Sequence, residues 1–310
     1  MSFLEAVFSE NTLVAIFHMA TPLIFIAMAA CIGRKANITS IAYEGMALFA
    51  ALCGALGSHY TNSLWLGALI GIATGMLIAV IFAYFVLYLD TSPMLIGLAL
   101  NSLGNFGTIY MLFLITGRKS DSSTMVSQSF PSLSIPALKD VPVLGPLLNQ
   151  TNVLTYVAIL ATIIIFIVIY KTPFGLRLRS VGESPSAATS VGINVKKTQF
   201  IVMLISGFLA SMGGLFMSMA YLPYFTKNML SGRGFIGLAA CNLAAGHPIG
   251  AFACTLLFGA ADAIANVAQA FRLPAQFASM LPYIATIIGL CVTGYRVSRV
   301  KIKKAKKAKV

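Results

Sequence analysis

Apolar residues fall along this chain in long uncharged windows, not in the one-sided or alternating patterns of a soluble domain. A bilayer core takes roughly 20 apolar residues per helical span. Nine windows of that order recur, at about 12–32, 44–61, 64–89, 93–116, 152–170, 199–222, 234–246, 249–268 and 280–295. They predict an all-α polytopic bundle of about nine transmembrane segments, within a range of about eight to ten, forming one domain over residues 1–310. The first window is expected to stay as a helix. Glu5 and Glu10 stand where a signal peptide carries basic residues, and no small-x-small cleavage pattern leads into a soluble domain.

Helix-weakening residues interrupt several windows, among them Pro22, Pro93, Pro282 and the pair Gly213-Gly214. Two readings fit: close packing of helices through small residues, or broken helices beside a path through the membrane. The 234–246 window is too short to span. It reads as a half-helix or as part of a re-entrant hairpin with 249–268, joined by Gly246-His247-Pro248.

Composition agrees with the pattern. The chain is 58% hydrophobic and 9% charged with a mean hydropathy of +0.89, against about a quarter charged residues in soluble domains. The net charge of +13 is unevenly distributed. Under strict alternation one side collects Arg34, Lys35, the loop residues Lys171, Arg177, Arg179, Lys196 and Lys197, and eight basic residues of the 296–310 tail. Only Arg118, Lys119, Lys139, Lys227, Arg233 and Arg272 are left for the opposite face. The positive-inside rule then makes the 171–198 loop and the C-terminus cytoplasmic and the 117–151 segment external. The basic tail beside a final span is expected to attract anionic lipid, with no nucleic-acid partner. The external segment carries Pro131, Pro136, Pro142 and Pro146 and reads as an ordered loop.

Candidate chemistry is sparse. Thr116-Gly117-Arg118-Lys119-Ser120 resembles the end of a phosphate-binding loop, but Leu112 stands at the first glycine position and Arg118 splits the Gly-Lys pair. Cys31, Cys53, Cys241, Cys254 and Cys291 lack C-x-x-C spacing, so buried thiols are expected. His18, His59 and His247 stand apart from any carboxylate at ligand spacing, and no metal site or catalytic constellation is expected.

Ionisable residues within spans are expensive and therefore informative. Glu44 opens the second window, where a carboxylate suits a helix start or a substrate contact. Asp262 lies deeper, at helical spacing from Asn266 and Gln269. With Asn101, Asn105 and Asn242 these are candidate translocation-path residues, and hydrogen bonds between helices are the competing reading. A weak internal echo between 47–79 and 238–265 fits a repeat-built transporter.

The segment SVGESPSAATSVGINVKK, 180–197, is polar between two apolar runs. Ser184 and Pro185 open a helix of about two turns, and Gly192 closes it. The small side chains would present a low knob at the membrane surface for another protein's groove.

Residues 175–188 and 191–195 resemble the cytoplasmic coupling loop of ATP-binding-cassette importer permeases of the branched-chain amino acid, ribose and nucleoside group, type II importer-like. The resemblance extends through Leu204–Gly214, Gly232–Ala240, Gly246–Ala251 and Met280–Tyr283, the last three being closest to nucleoside and simple-sugar permeases that pair with basic-membrane-protein-like binding lipoproteins. Thr21–Ile24 and Glu44–Met46 also fit. Ser40-Ile41-Ala42-Tyr43-Glu44-Gly45 departs from the usual Asn-Ile-Gly-x-Glu-Gly, a departure that bears on the substrate, and Ser184 replaces a common Asn.

The resemblance implies a bacterial inner-membrane permease subunit without its own ATPase site. Gly182, Glu183, Ser184, Pro185, Ala187, Ala188, Gly192 and Ile193 would form the ATPase-coupling element. Implied partners are ATPase subunits holding ATP and Mg2+, a second and non-identical permease, and an extracytoplasmic binding lipoprotein. This chain would bind no cofactor of its own. Nucleosides lead as substrate; riboflavin or a simple sugar is the alternative. A secondary carrier and a membrane-embedded enzyme are the readings from other classes.

Overall fold

The computed structural model describes residues 10–132 and 151–270, together with Met280, Ile284, Ile287 and Gly289. Among the described residues up to 270, ten α-helices follow one another: α1 (Glu10–Lys35), α2 (Tyr43–Thr61), α3 (Leu64–Leu87), α4 (Pro93–Thr116), α5 (Val153–Lys171), α6 (Pro173–Glu183), α7 (Pro185–Ser190), α8 (Val195–Phe216), α9 (Arg233–Leu243) and α10 (Pro248–Ala270). A π turn, Met217–Tyr221, prolongs α8. No β-strand of more than an isolated bridge occurs among the described residues.

Six helices among the described residues, not nine, are long and apolar enough to cross a membrane: α1, α3, α4, α5, α8 with its π turn, and α10. The difference has identifiable causes. α2 carries Glu44, His59 and many small residues, which dilute its hydropathy. α9 has 11 residues, a rise of about 16 Å, half of a core about 30 Å thick. The ninth window, 280–295, lies outside the described residues apart from four positions. So do Arg272, Cys291, the 296–310 tail and residues 133–150 with Pro136, Lys139, Pro142 and Pro146.

Helices α1 and α8 form the centre. Their apolar windows are 78% and 67% buried, whereas those of α3, α4, α5 and α10 are 28–39% buried. Small residues permit this. Ser206 of α8 donates to the Ala29 carbonyl of α1 at 3.0 Å, and Gly214 lies so close to the Ala47 carbonyl of α2 that a side chain there would collide with it. Pro22 within α1 follows Thr21, whose hydroxyl lies 2.7 Å from the Phe17 carbonyl and 3.0 Å from the Thr155 hydroxyl of α5. The Thr21 hydroxyl thus meets a carbonyl of its own helix beside the proline and ties that turn to the neighbouring helix.

The outer helices bury narrow stripes. α4 turns Gly97, Leu100, Asn101, Gly104, Thr108 and Leu112 inward at three- and four-residue spacing. Its opposite face exposes Leu98, Phe106 and Tyr110, as lipid or another apolar partner requires.

At one end of the bundle the described part of the 117–151 segment is pinned down. Ser122, Ser127 and Phe130 donate backbone N–H groups to the carbonyls of Phe225, Pro223 and Met219, each at 2.8 Å. Asn152 caps α5 and also donates to the Phe130 carbonyl at 2.8 Å. Residues 117–132 are therefore an ordered loop resting on the π turn and the segment after it.

Candidate functional site

α2 begins inside the bundle. After α1 ends at Lys35 the chain folds back, with Ile38 N–H donating to the Gly33 carbonyl at 3.0 Å. The hydroxyl of Tyr43, first residue of α2, donates to the Ala29 carbonyl at 3.3 Å, which places that start about 9 Å back from the end of α1. Such a start leaves backbone N–H groups without intrahelical partners. Asn101 of α4 supplies one partner from another helix. Its Oδ1 accepts from Gly45 N–H at 2.8 Å, and its Nδ2 donates to the Ile41 carbonyl at 2.8 Å.

The half-helix α9 starts at the same place. Its N-cap Gly232 adopts the left-handed φ of +82°, a conformation suited to glycine, and its N–H donates to Glu44 Oε1 at 3.0 Å. A methyl group on Gly234 would stand 2.5 Å from Glu44 Cβ and 2.9 Å from its Cα, so backbone and backbone touch here. Arg233 turns inward. Its Nη2 lies 3.5 Å from Asp262 Oδ2 of α10 and 3.7 Å from Met19 Sδ of α1, and its Nη1 donates to the Met229 carbonyl at 3.3 Å. Glu44 is 3% exposed. Among the described residues, its Oε2 and Arg233 Nε are buried without a hydrogen-bond partner.

Two carboxylates, one guanidinium and two helix starts therefore meet inside the bundle. Each helix N-terminus carries roughly half a positive charge, and both lie beside the Glu44 carboxylate. Glu44, Asn101 and Asp262 belong to this cluster. Asn105 sits one turn further along α4, half-buried, with its Nδ2 donating to the Asn101 carbonyl at 3.1 Å. Asn266 is exposed one turn beyond Asp262 on α10. Asn242 is elsewhere: at the far end of α9 its Oδ1 accepts from Arg34 Nη1 at 2.7 Å, which ties α9 to the end of α1.

Arg233 corrects the sequence reading, which placed it among scattered external cations. Its side chain is 17% exposed and ion-paired within the bundle. The available signal was its position between two glycines at the head of a half-helix, where an arginine cannot reach an interface easily.

The polar 180–197 segment forms α6 and α7 as a corner. Ser184 Oγ accepts from Ala187 N–H at 3.4 Å at the start of α7. At its end Gly192 has φ +81° and Ile193 N–H donates to the Ala188 carbonyl at 3.0 Å, a glycine-closed helix terminus. Glu183, Pro185, Ala187 and Gly192 are exposed, Ser184 and Ile193 half-buried. Ala188 is 2% exposed and packs against its own chain, so it supports the corner instead of facing outward. Val191, not singled out from the sequence, is 75% exposed and is the most prominent apolar side chain there.

Gly182 lies against the Lys35 carbonyl, leaving no room for a side chain. Beside it, Gln199 Nε2 donates to the Ala36 carbonyl at 3.0 Å. The corner is thus seated on the turn that leads from α1 back to Glu44.

Among the described residues, Cys31, Cys53, Cys241 and Cys254 are free thiols, and no group of three or more His, Cys, Asp or Glu side chains gathers as a metal site would. His247 lies beside Phe166 and Tyr170 in tilted ring contacts, with centroids 5.8 and 5.5 Å away.

A multi-span helical bundle with two helix starts meeting at a buried polar junction is the architecture of a membrane permease. The chain belongs to the branched-chain amino acid transport system permease component family, whose model matches residues 12–290. It is 34% identical over 289 residues to the guanosine ABC transporter permease protein NupQ of Bacillus subtilis (strain 168), covering 89% of each chain. It is 30% identical over 284 residues to the nucleoside ABC transporter permease protein NupC of Lactococcus lactis subsp. cremoris (strain MG1363), covering 88% of this chain and 89% of that one. To the putative glucose ABC transporter permease protein TsgC13 of Haloferax volcanii it is 27% identical over 319 residues, covering 95% of each. Among solved structures, PsaBC from Streptococcus pneumoniae in complex with Fab matches with a TM-score of 0.51 at 14% identity, over 93% of this chain and 94% of that one. This last likeness concerns the fold.

Proposed function

We propose that this chain is the translocation subunit of an ATP-driven importer for nucleosides in a bacterial cytoplasmic membrane. The observation that carries the mechanism is the corner of α6 and α7, a short exposed helix braced on the turn before Glu44. The nucleoside assignment is supported by the names of two relatives that each match nearly nine-tenths of the chain.

In this reading the corner docks on a separate ATPase subunit, which holds ATP and Mg2+. Its end of the bundle is cytoplasmic, as Arg34, Lys35, Lys171, Arg177, Arg179, Lys196 and Lys197 favour. The C-terminus lies on the same side. The 117–132 loop faces outward and receives substrate from a binding lipoprotein. A second, related permease covers part of the exposed apolar surface, lipid covers the rest, and nucleic acid has no part. The chain itself hydrolyses nothing and binds no cofactor. ATP-driven movement of the corner pulls on the α1–α2 turn, and so biases which side of the bundle the junction at Glu44 opens to.

The test is co-purification of the chain with its cognate ATPase, wild type against an Ala187→Arg, Val191→Glu pair, both exposed positions. Release of the ATPase, with the permease still folded, is the expected result. Undiminished association together with ATP-independent uptake would favour a secondary carrier. The glucose-named relative keeps a sugar in view, so uptake of labelled guanosine is measured against competing glucose and riboflavin.

A further inference from the structure

We infer that the junction of Glu44, Arg233 and Asp262 is itself a ligand site, and that it takes an uncharged solute which donates a hydroxyl or N–H hydrogen bond to Glu44 Oε2. This rests on the importer reading and adds the recognition chemistry.

The first observation is an incomplete carboxylate. Glu44 is 3% exposed, its Oε1 is held by Gly232 N–H at 3.0 Å, and its Oε2 has no partner among the described residues. Buried carboxylate oxygens are normally satisfied, because an unmatched one loses its hydration for nothing. The second is the fixed geometry around it. Gly234 touches the Glu44 backbone, and Asn101 clamps the residues on either side through Ile41 and Gly45. Glu44 therefore cannot relieve itself by moving away easily. A donor on a transported solute would complete it.

Charge decides what kind of solute. Among the described residues, Glu44 and Asp262 face one cation, Arg233, which already lies 3.5 Å from Asp262. The starts of α2 and α9 together add about one positive charge. The junction is then near neutrality, and a phosphate brought beside two carboxylates in a low-dielectric interior would be repelled. A nucleoside fits in charge, and its 5′-monophosphate does not. In this conformation the site is closed, so a ligand enters when the start of α9 parts from the start of α2.

The test uses the complete transporter, purified with its ATPase and second permease but without the binding protein. Affinity is read from the rise in melting temperature on adding guanosine or guanosine 5′-monophosphate. Guanosine should stabilise the wild type and the monophosphate should bind at least tenfold more weakly. Glu44→Gln should weaken guanosine about tenfold, as expected for losing a hydrogen bond to a charged group. Should Glu44→Gln not accumulate, Glu44→Asp decides, since it keeps the charge but withdraws the oxygens by one methylene. Equal guanosine affinity in the variant, equal affinity for the monophosphate, or no guanosine binding by a wild-type complex that still imports it each overturns the site. A wild-type complex that fails to import guanosine with ATP and binding protein overturns the importer reading instead.

Discussion

The side-chain oxygen of Asn101 accepts the backbone N–H of Gly45 at 2.8 Å, so a residue of α4 caps the start of α2 inside the bundle. The same amide donates to the Ile41 carbonyl. One side chain thus fixes both the end of the α1–α2 turn and the first turn that carries Glu44. Asn101→Ala should strand a buried N–H and a buried carbonyl and destabilise the protein by about 2–4 kcal/mol. Asn101→Asp should keep the first bond but face the Ile41 carbonyl with an acceptor. Thermal unfolding in detergent checks both, with the alanine variant expected to melt well below wild type.

Two glycines of α4 make a controlled comparison of close approach. A methyl on Gly104 would stand 2.6 Å from Gly45 Cα, a backbone atom, whereas on Gly107 its nearest neighbour is Leu103 Cδ1 at 3.5 Å. Gly104→Ala should therefore push α4 from α2 at about 1–3 kcal/mol. Gly107→Ala should be neutral or stabilise by up to about 1 kcal/mol, through helix propensity. If both variants melt together, the α2–α4 contact is looser than the structure has it.

Much of this architecture was legible because the bilayer imposes its own length scale. Windows near 20 apolar residues became helices α1, α3, α4, α5, α8 and α10. The shortness of 234–246 foretold a half-helix. Local signals also sufficed at α7, where Ser184, Pro185 and Gly192 define the ends without help from the rest of the fold. What stayed hidden depends on distant partners. Arg233 reads as surface charge until Asp262, 29 positions away, and Met19 are brought to it. Composition cannot distinguish Asn101, which caps α2, from Asn242, which pairs with Arg34 at the opposite end of α9. Nor does a run of small residues reveal that Ala188 turns inward while Val191 stands out.

The loop at the α9-start end of the bundle should be insensitive to mild acid. Asp121 is held at a pKa of about 2, chiefly by the Ser123 hydroxyl, then by the Ser120 hydroxyl and the Ser123 N–H, with a smaller contribution from Arg118. A carboxylate depressed in the folded state contributes stability above its unfolded value near 3.9, and the contribution is lost as pH falls through about 2. The 120–123 turn should accordingly hold at pH 4 and loosen between pH 4 and 2. Carbon NMR of aspartate-labelled protein, with the resonance assigned by its loss in Asp121→Asn, should show a midpoint near 2. A midpoint near 4 would mean that the serine contacts do not form.

Arg233 and Asp262 should be coupled, and the coupling separates stability from transport. Removing the guanidinium in Arg233→Met leaves two carboxylates, Glu44 and Asp262, without their cation inside the bundle, a loss of about 3 kcal/mol. Asp262→Leu should cost less, because Arg233 keeps the Met229 carbonyl and gains freedom to approach Glu44. Replacing both, Arg233→Met with Asp262→Leu, should recover much of the stability, since an apolar pair can substitute for a buried ion pair. Transport should not recover, because an apolar pair then lines the ligand junction in place of Arg233 and Asp262. Melting temperature and ATP-dependent uptake, measured on the three variants in one membrane preparation, give the double-mutant cycle. Additive melting losses would remove the ion pair from the account of this junction, and uptake restored along with stability would make it a structural bolt with no part in passage of the solute.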